Sequence, residues 1–197
     1  MDEAGLDDLL RRAQRREPAA LDELVTRYSQ RVFGLLYRLT GRRDVAEDLL
    51  QETFLRVIRA IDEYEHVGKF EAWLFRIAAN LARDRARQLG RQERPVASNE
   101  LVAAHDEDGR TRSVYVAEDD SGDADPAERL SRKEVGQRLA ECLARLSESE
   151  REIILLRHYS ELPFREIAEI LGVPLGTALA RAHRALQRLR REFRDEQ

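Results

Sequence analysis

The chain has 197 residues, of which 37% are charged, 42% hydrophobic and 6% aromatic. At about 150 residues per domain this allows one domain or two small ones, with a modest core under a densely ionic surface. No stretch approaches the roughly 20 apolar residues of a membrane span, the start is acidic (Asp2, Glu3, Asp7, Asp8) where a signal peptide would be basic, and the lone Cys142 cannot close an internal disulfide, so a cytoplasmic setting is expected.

The net charge of -4 averages unlike segments. Residues 1–94 sum to +1, residues 95–126 to -7 and residues 127–197 to +2. Positive charge is concentrated again at two places, with six arginines between Arg76 and Arg94 and six between Arg181 and Arg194. Basic clusters ending two helical modules are a footprint of phosphate binding, and a cationic helix end complementing the macrodipole is the simpler alternative for either alone. His66, His105, His158 and His183 lie singly, without metal-ligand spacing. No metal, cofactor or catalytic group is expected.

In chain order, a short helix around Leu6 to Arg16 ends before Pro18, which suits the first turn of the next helix. That second helix shows Leu21, Leu24, Val25, Tyr28, Val32, Leu35, Leu36 and Leu39 in steps of three and four, and stops at Gly41. Asp44-Val-Ala-Glu47 has capping-box spacing with Asp44 as the cap, opening a third helix. Its apolar stripe is Leu49, Leu50, Thr53, Phe54, Val57, Ile58 and Ile61. A loop from Asp62 to Gly68 precedes a fourth helix with Phe70, Trp73, Leu74, Ile77, Ala78 and Leu81 on one face.

Residues 95–126 carry HDEDG and EDDSGDAD without sustained apolar period, the composition of a flexible acidic linker, with Val114-Tyr115-Val116 as a locally sticky patch. The second module begins near Ala127 with Leu130, Val135, Leu139, Leu143 and Leu146 on one face. Ser147-Glu-Ser-Glu150 is a second capping box. From Phe164 to Ala178 the chain reads as a helix-turn-helix. Ala168 is small where the helices cross, Gly172 permits the turn, and Ile167, Leu171 and Val173 close the core. The helix from Leu175 would lie in a major groove. The expected fold is all-α, with a four-helix domain (1–94) and a helix-turn-helix domain (127–197) on a flexible acidic linker (95–126).

Three segments together resemble one family. Asp44-Val-Ala-Glu-Asp48-Leu-Leu-Gln51-Glu52-Thr-Phe54 is similar to the D-x-A-x-D-x-x-Q-E-x-F helix of bacterial sigma factors. Phe70-Glu-Ala-Trp73-Leu-Phe-Arg76-Ile-Ala-Ala-Asn80 is similar to the F-x-A-W-L-x-R-I-A-x-N segment that follows it. The run from Leu146 through the helix-turn-helix resembles the family's second conserved domain. The whole resembles the extracytoplasmic-function (ECF) group of the sigma-70 family, over nearly all of residues 21–89 and 139–189.

The resemblance implies a promoter-specificity subunit of RNA polymerase, without catalysis of its own. Asp48, Gln51, Glu52 and Phe54 would dock on the coiled coil of the polymerase β′ subunit, with Phe54 supplying burial. Tyr64, His66, Lys69, Phe70, Asn80, Arg83 and Arg87 would read and melt the -10 element, by stacking and by hydrogen bonds to base edges. Phe70 also fits the apolar stripe, and Trp73 is expected to be mainly core. Arg165, Thr177, Leu179, Ala180, Arg181, His183, Arg184 and Arg188 would serve the -35 element. At Leu179 and Ala180 the chain departs from the family, which carries Lys or Arg and then Ser there; thymine methyl groups remain possible contacts. Core RNA polymerase (β′ coiled coil and β flap), promoter DNA and an anti-sigma factor are the implied partners of a chain that is monomeric when alone. Two other readings stay open on residues alone. One is a stand-alone helix-turn-helix regulator with a helical sensing domain; the other is a carboxylate-metal hydrolase using Asp44, Asp48 and Glu52.

Overall fold

The computed structural model describes residues 3–65, 68–92 and 138–195. The first four helices are α1 (Glu3–Gln14), α2 (Pro18–Thr40), α3 (Arg43–Ala60) and α4 (Phe70–Gln92), with a 3-10 turn at Ile61–Glu63. A second group comprises α5 (described over 138–144), α6 (Glu148–Ser160), α7 (Phe164–Leu171) and α8 (Leu175–Asp195). There is no strand among the described residues, in agreement with the all-α expectation. The acidic segment 95–126, its Val114-Tyr115-Val116 patch, the start of the second module (127–137) and His66 lie outside the described residues.

Most helix limits follow from local chemistry. Pro18 opens α2 at its first turn, where a missing N–H costs nothing, and the Gly41 N–H closes it by donating to the Tyr37 carbonyl at 2.8 Å. Ser147 caps α6 in a true capping box. Its hydroxyl accepts from the Glu150 N–H at 3.4 Å while the Glu150 carboxylate accepts from the Ser147 N–H at 3.2 Å. Asp44 is a correction. Because α2 stops at Gly41, the connection is too short for a cap at position 44, and the extended Arg42 occupies it without a side-chain cap bond. Asp44 sits in the first turn instead, 3.2 Å from Arg42 Nε.

In the first unit α2 packs on α1, α3 and α4 around Leu24, Tyr28, Leu35, Val57, Phe70 and Leu74. In the second, Ile153, Leu156, Ile167 and the alanines 178, 182 and 185 are buried. Three alanines on one face let α8 approach α6 and α7 closely. Gly172 ends α7 at φ 65°, and the Val173 N–H reaches back to the Ala168 carbonyl at 3.0 Å, the crossed bonding that a left-handed residue makes possible.

The two units touch. α2 packs against α6, and α4 against both α6 and α7. The buried side chains of both units form one continuous cluster. Tethered bodies holding separate sites on one duplex would have to part from this arrangement.

Candidate polymerase and nucleic-acid interfaces

On α3, Asp48 and Gln51 are exposed and Glu52 is half-buried, its carboxylate accepting from Arg56 Nε at 2.7 Å. Phe54 is only 7% exposed and belongs to the core of its own unit. The apolar group presented beside Asp48, Gln51 and Glu52 is Leu55, 46% exposed. Positions 48, 51, 52 and 55 share one helical face, so that exposed face sets acidic and amide heads around Leu55, with Phe54 bracing it from below. Leu55 falls outside the apolar stripe of α3, and that is the sequence signal that marks it as outward-facing. Two of the three carboxylates of the hydrolase reading pair with separate cations, Asp44 with Arg42 and Glu52 with Arg56.

The start of α4 is an aromatic corner. Tyr64 stacks on Trp73 with ring centroids 5.0 Å apart and meets Phe70 edge-on at 5.7 Å. Phe70 is 2% exposed and lies 5.5 Å from the Tyr28 ring, so it is a core residue and presents no face to a base. Trp73 is half-buried: one side packs inward and the other lines a groove. Lys69, Trp73, Arg76, Asn80, Arg83 and Arg87 recur at steps of four and three, a single stripe along the helix. Arg76, Asn80 and Arg87 are exposed, and Arg87 pairs with Asp84 at 3.4 Å. Arg76 belongs to the basic cluster and to the F-x-A-W-L-x-R-I-A-x-N motif but not to the expected -10 residues, and its place in the stripe is the signal that marks it.

Two members of the stripe are engaged by the second unit. Lys69 Nζ lies 3.6 Å from a Glu169 carboxylate oxygen. Arg83 Nε lies 3.0 Å from Glu152 Oε1, and Arg83 Nη2 donates to the Ile170 carbonyl at 3.2 Å. Burial pushes the Glu152 carboxyl above the usual carboxylate range, against the opposing pull of Arg83. Between the units lies a groove of about 450 Å³ lined by Tyr64, Trp73 and Arg76 on one side and Glu166, Glu169 and Ile170 on the other.

On α8 the outward face carries Leu179 (46% exposed), Ala180, His183 and Leu186, with Leu175 at its start. His183 is 2.9 Å from the Gln187 amide nitrogen. Thr177 and Arg181 are half-buried, and Arg165 of α7 is exposed. Arg184 and Arg188 turn toward the start of α6, where Glu150 lies 3.8 Å and 3.1 Å from them. The structure therefore brings Leu179, Ala180 and His183 onto one open face and holds the two arginines at its flank. No described helix is long and apolar enough to cross a membrane.

Comparisons with known proteins point to one family. The sigma-70 region 2 family model matches residues 24–92, and the sigma-70 region 4 model matches residues 136–189. The ECF RNA polymerase sigma factor SigW of Bacillus subtilis is 31% identical over 94% of this chain and 95% of its own. The RNA polymerase sigma factor CarQ of Myxococcus xanthus is 37% identical over 87% of each chain. Among solved structures, the sigma factor RpoE of Bartonella quintana, bound to the anti-sigma factor NepR, superimposes with a TM-score of 0.65 at 25% identity. That match covers 89% of this chain and 98% of that one.

Proposed function

The chain belongs to the sigma-70 family, in its extracytoplasmic-function group, and from that premise we propose how its surfaces divide the work of a promoter-specificity subunit. The function follows from membership: the chain binds core RNA polymerase and promoter DNA and directs transcription initiation at a subset of promoters. Within residues 1–94, the α3 patch of Asp48, Gln51, Glu52 and Leu55 docks on the β′ coiled coil. Exposed carboxylates select a basic helical partner and the leucine adds apolar burial.

The -10 element is read by the α4 stripe of Lys69, Trp73, Arg76, Asn80, Arg83 and Arg87, with Tyr64 behind Trp73. The stripe is the observation that carries the reading, because an aromatic ring, an amide and four cations in helical register are what captures unstacked bases along a phosphate backbone. Residues 127–197 serve the -35 duplex through the open face of α8, near the β flap. Thr177 and Arg181 lie at the edge of that face, Leu179, Ala180 and His183 on it, and Arg165, Arg184 and Arg188 supply phosphate contacts from its margins. The linker spans the distance between the two elements. The chain acts in the cytoplasm as a non-catalytic monomer, and an anti-sigma factor holds it inactive, a role supported by the likeness to a sigma factor solved with one.

The test is reconstitution of purified chain with core polymerase on genomic fragments, followed by run-off transcription and permanganate reactivity. Promoter opening is expected, and Arg76→Ala should reduce it at least tenfold while core association persists. Stable core association with no opening on any fragment overturns the reading. Dimers that bind duplex tightly without polymerase would restore the stand-alone regulator.

A further inference from the structure

We infer that the end of α1 is a clamp on the -10 reader: Gln14 and Arg16 hold the turn that follows α3 and, through Tyr64, fix the plane in which Trp73 meets an unstacked base. This positioning role rests on the assignment of the α4 stripe to the -10 strand. Both residues precede the stretch matched by the sigma-70 region 2 model, which starts at residue 24.

α1 is anchored by the buried Leu9, Leu10 and Ala13, and it packs on α2 and on the Ile61–Glu63 turn. From that base the Gln14 side-chain amide donates to the Tyr64 carbonyl at 2.7 Å and to the Ile61 carbonyl at 3.2 Å, so one amide spans the whole turn. Arg16 Nη1 donates to the Ile58 carbonyl at 2.8 Å, in the last turn of α3, where a helix runs out of its own donors. Arg16 Nε donates to Asp62 Oδ2 at 3.1 Å.

Arg16 does this from a strained backbone. α1 closes with crossed bonds, the Glu17 N–H to the Arg12 carbonyl at 3.2 Å and the Arg16 N–H to the Ala13 carbonyl at 2.9 Å. Arg16 thereby takes φ 61°, the left-handed position that glycine ordinarily fills. Its ion pair with Asp62 is 47% exposed on both sides and adds little stability, so stability does not account for a guanidinium kept at a site that glycine would fit more easily. What the guanidinium does there is hold residues 58 and 62 in register with α1.

Tyr64 links the clamp to the reader. Its carbonyl is pinned by Gln14, and its ring stacks on Trp73 at 5.0 Å with 26° between the planes. Trp73 therefore has a fixed ring behind it and the groove in front. An indole already held in one plane stacks on a base without first losing its own rotational freedom.

Trp73 is the only tryptophan in the sequence, so its near-ultraviolet circular dichroism band reports the Tyr64–Trp73 stack directly. The test uses the full chain and three variants. Gln14→Met keeps the length of the side chain without a donor, Gln14→Lys restores a donor of similar reach, and Arg16→Gly relieves the backbone while removing the guanidinium. Each is read for core-polymerase affinity, thermal stability, the Trp73 band and promoter opening by the holoenzyme. Opening is measured on a fragment that the parent opens and on single-base changes through its -10 segment. Gln14→Met and Arg16→Gly should each lower opening and -10 discrimination about fivefold and weaken the Trp73 band, with core affinity unchanged. Gln14→Lys should recover most of both. Arg16→Gly should melt no lower than the parent, which separates positioning from stability.

If Arg16→Gly melts lower, the Gln14 pair alone decides. The clamp is overturned if Gln14→Met opens and discriminates as the parent does while Arg76→Ala fails to open, or if Gln14→Lys is as impaired as Gln14→Met. If Arg76→Ala opens like the parent, the failure lies in the -10 assignment and the inference falls with it.

Discussion

Glu150 accepts hydrogen bonds from the Ser147 N–H at 3.2 Å and the Ser147 hydroxyl at 2.8 Å, and it faces Arg188 at 3.1 Å. The Ser147 hydroxyl is the main reason its carboxyl is held below the usual carboxylate range, with the Ser147 amide, Arg188 and Arg184 adding to it. A carboxyl lowered in the folded state contributes stability that is complete above its unfolded value and lost as pH falls through the folded one. Glu150→Ala should therefore cost about 1 kcal/mol at neutral pH, roughly 2–4 °C in Tm for a chain of this size. Thermal melts at decreasing pH should show the gap between parent and variant closing on the acid side; a gap that stays constant would mean the charge contributes nothing. The capping box was legible because both of its partners lie within four residues. The ties to Arg184 and Arg188 were not, since they join residues 34 and 38 positions apart.

On α3, the helical period predicts opposite consequences for neighbours in the chain. Phe54→Ala should destabilise the fold by about 3–5 kcal/mol, the cost of emptying a core aromatic site. Leu55→Asp should leave stability nearly unchanged yet weaken association with core polymerase at least tenfold. Chemical denaturation and a core-binding titration on both variants separate the two effects, and equal loss of core affinity from a stably folded Phe54→Ala would return Phe54 to the interface. The stripe was legible in the periodicity, but a motif match alone does not say which of two adjacent apolar residues points outward. Burial decides that.

The same reasoning applies to α8, where Leu179 stands exposed on the open face. Leu179→Lys should raise affinity for -35 duplex and steepen the salt dependence by about one unit of slope, read from titrations across salt concentrations. An unchanged slope would mean that position 179 faces away from phosphate. Helix limits were largely readable from Pro18, Gly41, Ser147 and Gly172 because caps and stops are local. The start of α3 was misread for the converse reason, since the tight Gly41–Arg42 connection, which the spacing of Asp44 and Glu47 does not reveal, sets it.

At the scale of the whole molecule, the contact between the units was illegible because it is built from groups that sequence patterns assign to solvent. Arg31 reaches the Tyr159 carbonyl 128 positions away, and Gly34, on which the Tyr159 ring packs, looks like an ordinary small residue on a helix. Arg83 and Glu152 each fit an exposed charged face until they are set together. The burial of Glu152 at that contact gives the closed arrangement, in which the two units touch, a pH dependence with a definite sign. Burial raises the Glu152 carboxyl above its ordinary value, an effect opposed by Arg83 of α4 and Arg181 of α8 and reinforced by Glu148 of its own helix. The closed state thus holds a proton on Glu152 more tightly than an open state that returns it to water, so acidification from neutrality toward the ordinary carboxylate range favours closure, and the preference fades as pH rises through the raised value. Trp73 quenching should fall over that window in the parent chain. In Glu152→Gln, which keeps an acceptor for Arg83 without the buried charge, quenching should start lower and stay flat. A parent chain whose quenching is flat over the same window, or a variant that retains the slope, would show that opening does not hydrate Glu152.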